Sequence, residues 1–284
     1  MTWPKTFILW TKDRILYVSV PFTWELPKVK LMLQQKGIDW DRALVGGPAV
    51  YLMPDYFKGM SHVSIGYHFE GVLQMVNPLA TRTTIGCIRK CGFCGVPKFE
   101  GKFKELDQWP DLPIICDNNI LASSKDHFSK VISKLKKHIR IDFNQGLDSR
   151  LLTDFHAKKL FKIRKNIRRH GIRLALDSLD YKASWLKAYE ILRNHKIPKS
   201  KIGSYALIGF DAGPGEAWER CQWIESHKIP VFPMWYHELN QLEKNIVTVK
   251  QEKLGWSDYE RRKIMQWYYR HKKAILDKIR QHNR

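Results

Sequence analysis

Six short apolar, β-rich runs recur along the chain, at 82–87, 114–117, 139–144, 172–177, 204–210 and 230–235. Their starts lie about thirty residues apart, the length of one strand followed by one covering helix. The segments between them carry helical periodicity. Residues 125–138 align Phe128, Val131, Ile132 and Leu135 on one face, and 154–170 align Leu160, Ile163 and Ile167 while the lysines and arginines fall elsewhere. Such alternation buries a parallel sheet on both faces, and six units make an open, partial (β/α)6 barrel. Sites in parallel barrels form at the carboxyl ends of the strands. The expected organisation is α/β: a small unit at 1–80, the barrel at 81–239, and a linker with a basic helix at 240–284.

The first barrel strand runs straight into Cys87-Ile88-Arg89-Lys90-Cys91-Gly92-Phe93-Cys94. Three thiolates in a C-x3-C-x2-C spacing hold three irons of a 4Fe-4S cluster and leave the fourth open, whereas an electron-transfer cluster normally takes a fourth cysteine. A structural zinc site is the alternative. Zinc prefers four closed ligands, and the next cysteine, Cys116, lies in an apolar run that reads as a buried strand.

The loop, with Phe93 as the aromatic before its last cysteine, resembles the signature of the radical S-adenosylmethionine (SAM) enzymes. The resemblance implies that the open iron chelates the amino and carboxylate groups of SAM. An electron from the cluster then cleaves the sulfonium to methionine and a 5'-deoxyadenosyl radical, which abstracts hydrogen from a substrate. It also implies a partial barrel at about 81–238, in agreement with the strand spacing.

The first eighty residues read as a strand at 14–20, a helix at 25–36, and Ala43-Leu44-Val45 entering Gly46-Gly47-Pro48. This is similar to a shortened cobalamin-binding domain, with Pro54 a few residues on. The Asp-x-His-x-x-Gly base-ligand motif is absent and one βαβ unit is too small to enclose a corrin, so no cobalamin is expected. Gly46-Gly47 reads as a tight turn.

Charge points to partners. The 49 Lys and Arg exceed the 28 Asp and Glu, for a formal +21. Eight Lys/Arg and no acid lie between His156 and Arg173, and twelve against five acids lie between Asn240 and Arg284. Nucleic acid is the expected partner; an acidic flavodoxin- or ferredoxin-type electron donor is the alternative use of the same faces. Five cysteines, three on one loop, make no disulfide framework, which suits a reduced, cytoplasmic setting. The apolar opening to Trp10 is too short for a signal core and Lys12-Asp13-Arg14 follows, so neither a signal nor a membrane span is expected.

In the tail, Ser257-Asp258-Tyr259-Glu260 reads as a capping box, and Ile264, Tyr268, Ile275 and Ile279 form a docking stripe. Arg261, Arg262, Lys263, Arg270, Lys272 and Lys273 are the candidate nucleic-acid contacts. Trp267, Tyr268, Tyr269 and His271 interleave with them, as core packing or as stacking surfaces for unpaired bases.

SAM requires polar groups at strand ends. After the second strand, Asp117-Asn118-Asn119 resembles a segment found there in cobalamin-type radical SAM proteins, making Asp117 and Asn118 cofactor candidates, with an Asx turn and helix cap as their other role. The third strand ends in Asp142-Phe143-Asn144-Gln145-Gly146-Leu147-Asp148-Ser149-Arg150. Gln145 and Arg150 are selected, the latter as a bidentate clamp on the SAM carboxylate or else a partner of Asp148 or Asp142. Asp177-Ser178 stands where related enzymes carry Glu-Ser, and Gly209 lies in a motif that resembles the strand lining the adenine pocket; a turn is its other reading. Tyr236, His237 and Glu238 are candidates for touching substrate, His237 also for an ordinary structural place.

With Cys116 and Cys221 as the only other thiols, a second cysteine-bound cluster and a cysteine methyl relay are disfavoured. The resulting expectation is hydrogen abstraction from a nucleobase or a nucleic-acid-linked group. The alternatives are a radical SAM enzyme acting on a peptide or small molecule, with basic faces docking a reductase, and a non-catalytic iron-sulfur or zinc nucleic-acid-binding protein.

Overall fold

The computed structural model describes residues 6–35, 39–66 and 68–269. The chain is mixed α/β, with several parallel sheets and no closed barrel among the described residues. Two compact units are present. One contains the described residues of Met1–Ala80 together with Gly86–Phe103 and His237–Asn245; the other contains Thr81–Ile85, Lys104–Tyr236 and the described residues from Ile246 onward.

In the first unit, β1 (Ile8–Lys12) and β2 (Ile15–Ser19) form an antiparallel hairpin. Asp13 and Arg14 make its turn at φ of 51° and 57°, the left-handed conformation that lets a two-residue turn match strand twist. The expected strand at 14–20 is β2, while β1 is an addition. Helix α1 (Leu26–Gln34) carries the chain to β3 (Arg42–Gly46), which lies parallel to β2, and β4 (Val63–Ile65) adds in parallel. Leu26, Val29 and Leu33 pack with Val18, Val20 and Val45 in this core. Gly46 and Gly47 form the tight turn: a Cβ on Gly46 would sit 1.8 Å from the Gly66 carbonyl oxygen, and Gly47 has φ of 95°. The short helices α2 (Pro48–Leu52) and α3 (Val72–Val76) complete this part of the chain.

The next strands are short: β5 (Ala80–Thr81), β6 (Thr84–Ile85) and, after the cysteine loop and helix α4 (Val96–Phe99), β7 (Lys104–Glu105). The expected first strand at 82–87 is thus divided. Thr81 serves a sheet ordered β5-β8-β9, with β8 (Ile114–Ile115) and β9 (Asp142–Phe143), whereas β6 pairs antiparallel with β7. Helix α5 (Lys125–Leu135) joins β8 to β9 and buries Phe128, Val131, Ile132 and Leu135 as the periodicity requires. Each such side chain is worth about 1.5–3 kcal/mol. Helix α6 (Asp154–Ile163) ends earlier than expected because Ile167 is drawn into a parallel bridge with Ile141.

A second parallel sheet is ordered β10-β11-β12, with β10 (Ile172–Leu176), β11 (Ile202–Ile208) and β12 (Val231–Trp235). Helices α7 (Lys182–Asn194) and α8 (Pro214–Ser226) are its crossovers. Trp185 of α7 is fully buried, its indole N–H donating to Ser204 Oγ at 2.9 Å. The two sheets are tied by backbone bonds from Phe143 N–H to Gly171 O and from Leu147 N–H to Arg173 O. After α9 (Val249–Lys253), a helix over 258–269 packs Ile264 and Tyr268 into the same core. Among the described residues no helix is long and apolar enough to cross a membrane.

Candidate functional site

The cysteine loop leaves β6 at Gly86, where φ is 70° and a Cβ would meet the Lys102 carbonyl oxygen at 2.4 Å. Only glycine allows the two ends of the loop to approach so closely. The Gly86 N–H donates to Glu100 Oε2 at 2.7 Å, which fixes the same neck. Inside the loop, the Cys94 N–H donates to the Cys91 carbonyl at 3.0 Å and the Arg89 N–H to Cys87 Sγ at 3.3 Å. Cys87, Cys91 and Cys94 are half-buried, and Phe93 is half-buried between the last two.

Among the described residues no three His, Cys, Asp or Glu side chains converge in an arrangement that holds a metal ion. The donor set has the chemistry a 4Fe-4S cluster requires: three reduced, accessible thiols on one loop, one of them already receiving a backbone N–H. Burial pushes the thiols of Cys116 and Cys221 up to about 12, so both stay protonated and neither competes as a thiolate ligand.

The strand segment before the loop is held by Asp117. Its Oδ1 accepts from the Thr83 N–H at 2.6 Å and the Thr84 N–H at 3.0 Å, and its Oδ2 accepts from Thr83 Oγ1 at 2.5 Å. His127 Nε2 lies 3.2 Å from the same threonine hydroxyl, and His127 Nδ1 lies 3.6 Å from Glu105 Oε2. Burial raises the Asp117 carboxyl despite these bonds. Both carboxyl oxygens therefore help to position β6. Asn118 beside it is half-buried.

At the carboxyl ends of the strands in the second unit, Arg150 forks onto Asp148, Nε to Oδ1 at 2.7 Å and Nη2 to Oδ2 at 3.1 Å. Its guanidinium lies 4.6 Å from the centre of the Tyr181 ring. The pairing with Asp148 is the alternative role read for Arg150. Asp177, at the end of β10, is raised to about 6, chiefly by burial; Arg150 and Arg220 pull it down, while Asp148 and Asp211 push it up. Arg220 is fully buried, donating Nη1 to the Leu207 carbonyl and Nη2 to Glu216 at 2.6 Å. Sequence reading missed Arg220. A lone arginine on the apolar face of α8 was the available signal, since a cation at a core position must be paired.

The other expected residues separate. The Gln145 side chain is exposed. Ser178 Oγ accepts from the Asp180 N–H at 3.3 Å and caps a one-turn 3-10 helix, so that hydroxyl has a local structural task. Gly209 has φ of 80°, and a Cβ there would lie 2.4 Å from the Trp235 ring; the close approach it permits is to a core indole. Tyr236 packs edge-on against Phe210. In the first unit, His237 Nε2 accepts from the Asn245 N–H at 3.2 Å and its ring lies 4.6 Å from that of Trp24, while the Glu238 N–H donates to Gln241.

Among the basic candidates, Arg261 is buried, donating to Asp258 Oδ1 at 2.6 Å, with its guanidinium 5.9 Å from the Trp235 ring centre. It takes part in the packing of the helix, because it lies on the Ile264–Tyr268 face. Arg262 and Lys263 are exposed on the same helix, as is Trp267. Ser257 caps this helix through the Glu260 N–H at 3.2 Å. Arg270, His271, Lys272, Lys273, Ile275 and Ile279 lie outside the described residues.

No known family model and no curated protein sequence matches the chain.

Proposed function

We propose that the chain is a radical SAM enzyme that abstracts hydrogen from a nucleobase or from a group carried on nucleic acid. The observation that carries this reading is the cysteine loop: three half-buried cysteines in C-x3-C-x-Phe-C spacing, closed at its neck by Gly86. A 4Fe-4S cluster held by Cys87, Cys91 and Cys94 would supply the electron that cleaves the sulfonium of SAM. Asp117 positions the strand that delivers the loop. Further support comes from the strand orders β5-β8-β9 and β10-β11-β12 and from the N–H bonds of Phe143 and Leu147 between them. We read these strands as one partial (β/α)6 barrel.

Asp177 and Arg150 are the residues assigned to SAM. Arg150 is held in one orientation by Asp148 and Tyr181, which limits the entropy lost when a guanidinium binds a carboxylate. The Asp177 carboxyl is ionised above about pH 6, when it can accept hydrogen bonds from an ammonium or from ribose hydroxyls. Asn118 and Gln145 are secondary assignments. Exposed Arg262 and Lys263, with the lysines of α6, supply charge for a nucleic-acid substrate.

The test is anaerobic reconstitution with iron and sulfide, then SAM and dithionite, with 5'-deoxyadenosine quantified and RNA and DNA fragments screened by mass. Reductive cleavage that is slowed by Arg150→Ala and Asp177→Ala at unchanged iron content supports the reading. A colourless, zinc-loaded protein from strictly anaerobic expression overturns it.

A further inference from the structure

At the amino end of β10, a cavity of about 230 Å³ gathers, besides Met234, two kinds of side chain. Arg168, Arg169, His170 and Arg173 supply the cationic part; Tyr205, Phe232 and Tyr269 supply the rings. Asp177 stands at the other end of the same strand, four residues or roughly 13 Å away. The cavity therefore belongs to a different end of the sheet from the residues assigned to SAM.

The charges leave a surplus. Asp142 accepts from both Arg173, at 2.7 Å, and Arg168, at 3.0 Å. One carboxylate thus serves two of the three lining arginines, Arg169 Nε lies 3.3 Å from His170 Nε2, and the buried Arg173 is fixed further by the Phe143 carbonyl at 2.9 Å. The rings are fixed as well: Tyr205 donates its hydroxyl to the Asn144 carbonyl at 2.9 Å and lies 5.9 Å from Phe232, centre to centre. His170 holds a left-handed backbone, φ 53°, with its N–H bonded to the Ser200 carbonyl. Left-handed backbone at a non-glycine residue is sparsely populated and marks a place worth a functional question.

Two basic segments that are far apart in sequence meet here. The acid-free run at 156–173 provides the arginines, and the cationic helix over 258–269 provides Tyr269. Positive charge beside an exposed ring, Tyr269, and a half-buried one, Tyr205, is the combination that recognises a phosphorylated nucleotide: the arginines take the phosphate and the tyrosine rings take the base. The cavity is smaller than the roughly 300–1,000 Å³ of sites that enclose a whole drug-sized ligand. It has no room for more than one nucleotide unit.

We infer that this cavity binds a single phosphorylated nucleotide unit, as an anchor separate from the place of chemistry. The inference deepens the proposed action on nucleic acid but stands on its own residues. The experiment uses the full chain with a fluorescent single-stranded RNA and its DNA equivalent, a 5'-mononucleotide, and inorganic phosphate, all at low salt. Tyr269→Ala is expected to weaken oligonucleotide binding on the order of ten-fold through the loss of stacking, and Arg169→Glu to weaken it and flatten its salt dependence. Both changes are at accessible side chains, and thermal melts verify folding. Oligonucleotide binding without mononucleotide binding identifies a polymer segment as occupant, and equal occupancy by the mononucleotide identifies a free nucleotide. Wild-type affinity in both variants, or phosphate competing as well as the nucleotide, overturns the assignment. Weakened binding in these variants, together with a wild type that fails to cleave SAM, would sink the radical SAM reading and leave this inference standing.

Discussion

Replacing Asp177 by Asn should stabilise the protein at neutral pH and not in acid. Burial lifts this carboxyl from the ordinary 3.8 to about 6. A folded-state value above the unfolded one means that stability is full below the unfolded pKa and is lost as pH rises through the folded one. With each pKa unit worth ~1.4 kcal/mol, linkage gives a penalty of about 1 kcal/mol at pH 4.5 and about 3 kcal/mol above pH 7. An amide of the same shape never ionises. Asp177→Asn should accordingly raise the melting temperature by several degrees at pH 7.5, at roughly 2–4 °C per kcal/mol for a domain of 150–250 residues. The gain should shrink about three-fold at pH 4.5. Melts of both proteins across this range make the measurement. An equal shift at both pH values would refute the argument, because a packing change has no proton linkage. A lower melting temperature for Asp177→Asn at pH 7.5 would show that attraction to Arg150 and Arg220 outweighs desolvation.

Cys91→Ala should lose the brown colour and the iron, about four per chain in the anaerobic wild type, without lowering the melting temperature of the cluster-free protein; full iron in the variant would exclude Cys91 as a ligand. Asp117→Ala leaves two buried N–H groups unsatisfied and the Thr83 hydroxyl with His127 as its partner, and should cost about 3 kcal/mol in urea unfolding, with Asp117→Asn much milder because one oxygen remains as acceptor. Charge reversal at Arg262 and Lys263 should weaken oligonucleotide binding and reduce the slope of log affinity on log salt by about 0.7 for each single-strand phosphate that is no longer neutralised. If the same variant binds oligonucleotides normally but is reduced more slowly by flavodoxin than by dithionite, the basic helix docks a reductase.

What the sequence disclosed and what it concealed divide along a physical line. Periodicity is a backbone property repeated over many residues, so β10, β11, β12 and the buried stripe of α5 were legible, as was the glycine turn at Gly46-Gly47. Side-chain bonds to backbone leave no period. Asp117 takes the N–H groups of Thr83 and Thr84 for itself, which is why the run at 82–87 does not extend as one strand. Ile167 has helical spacing from Ile163, yet its bridge to Ile141 wins, because ending the helix there supplies the sheet with a partner. Arg261 shows the opposite failure. Its place three residues before Ile264 and seven before Tyr268 put it on the buried stripe, but the surrounding charge run concealed that register. Arg173 carried a signal that the sequence reading did not use, a cation in an otherwise apolar strand. A buried arginine must be paired or must face a polar space, and Arg173 does both, with Asp142 on one side and the cavity on the other. Conflicts between a residue and its local pattern are where stability is given up for binding. By that criterion Arg173, His170 and Asp177 mark the positions where this fold departs from the needs of its own core.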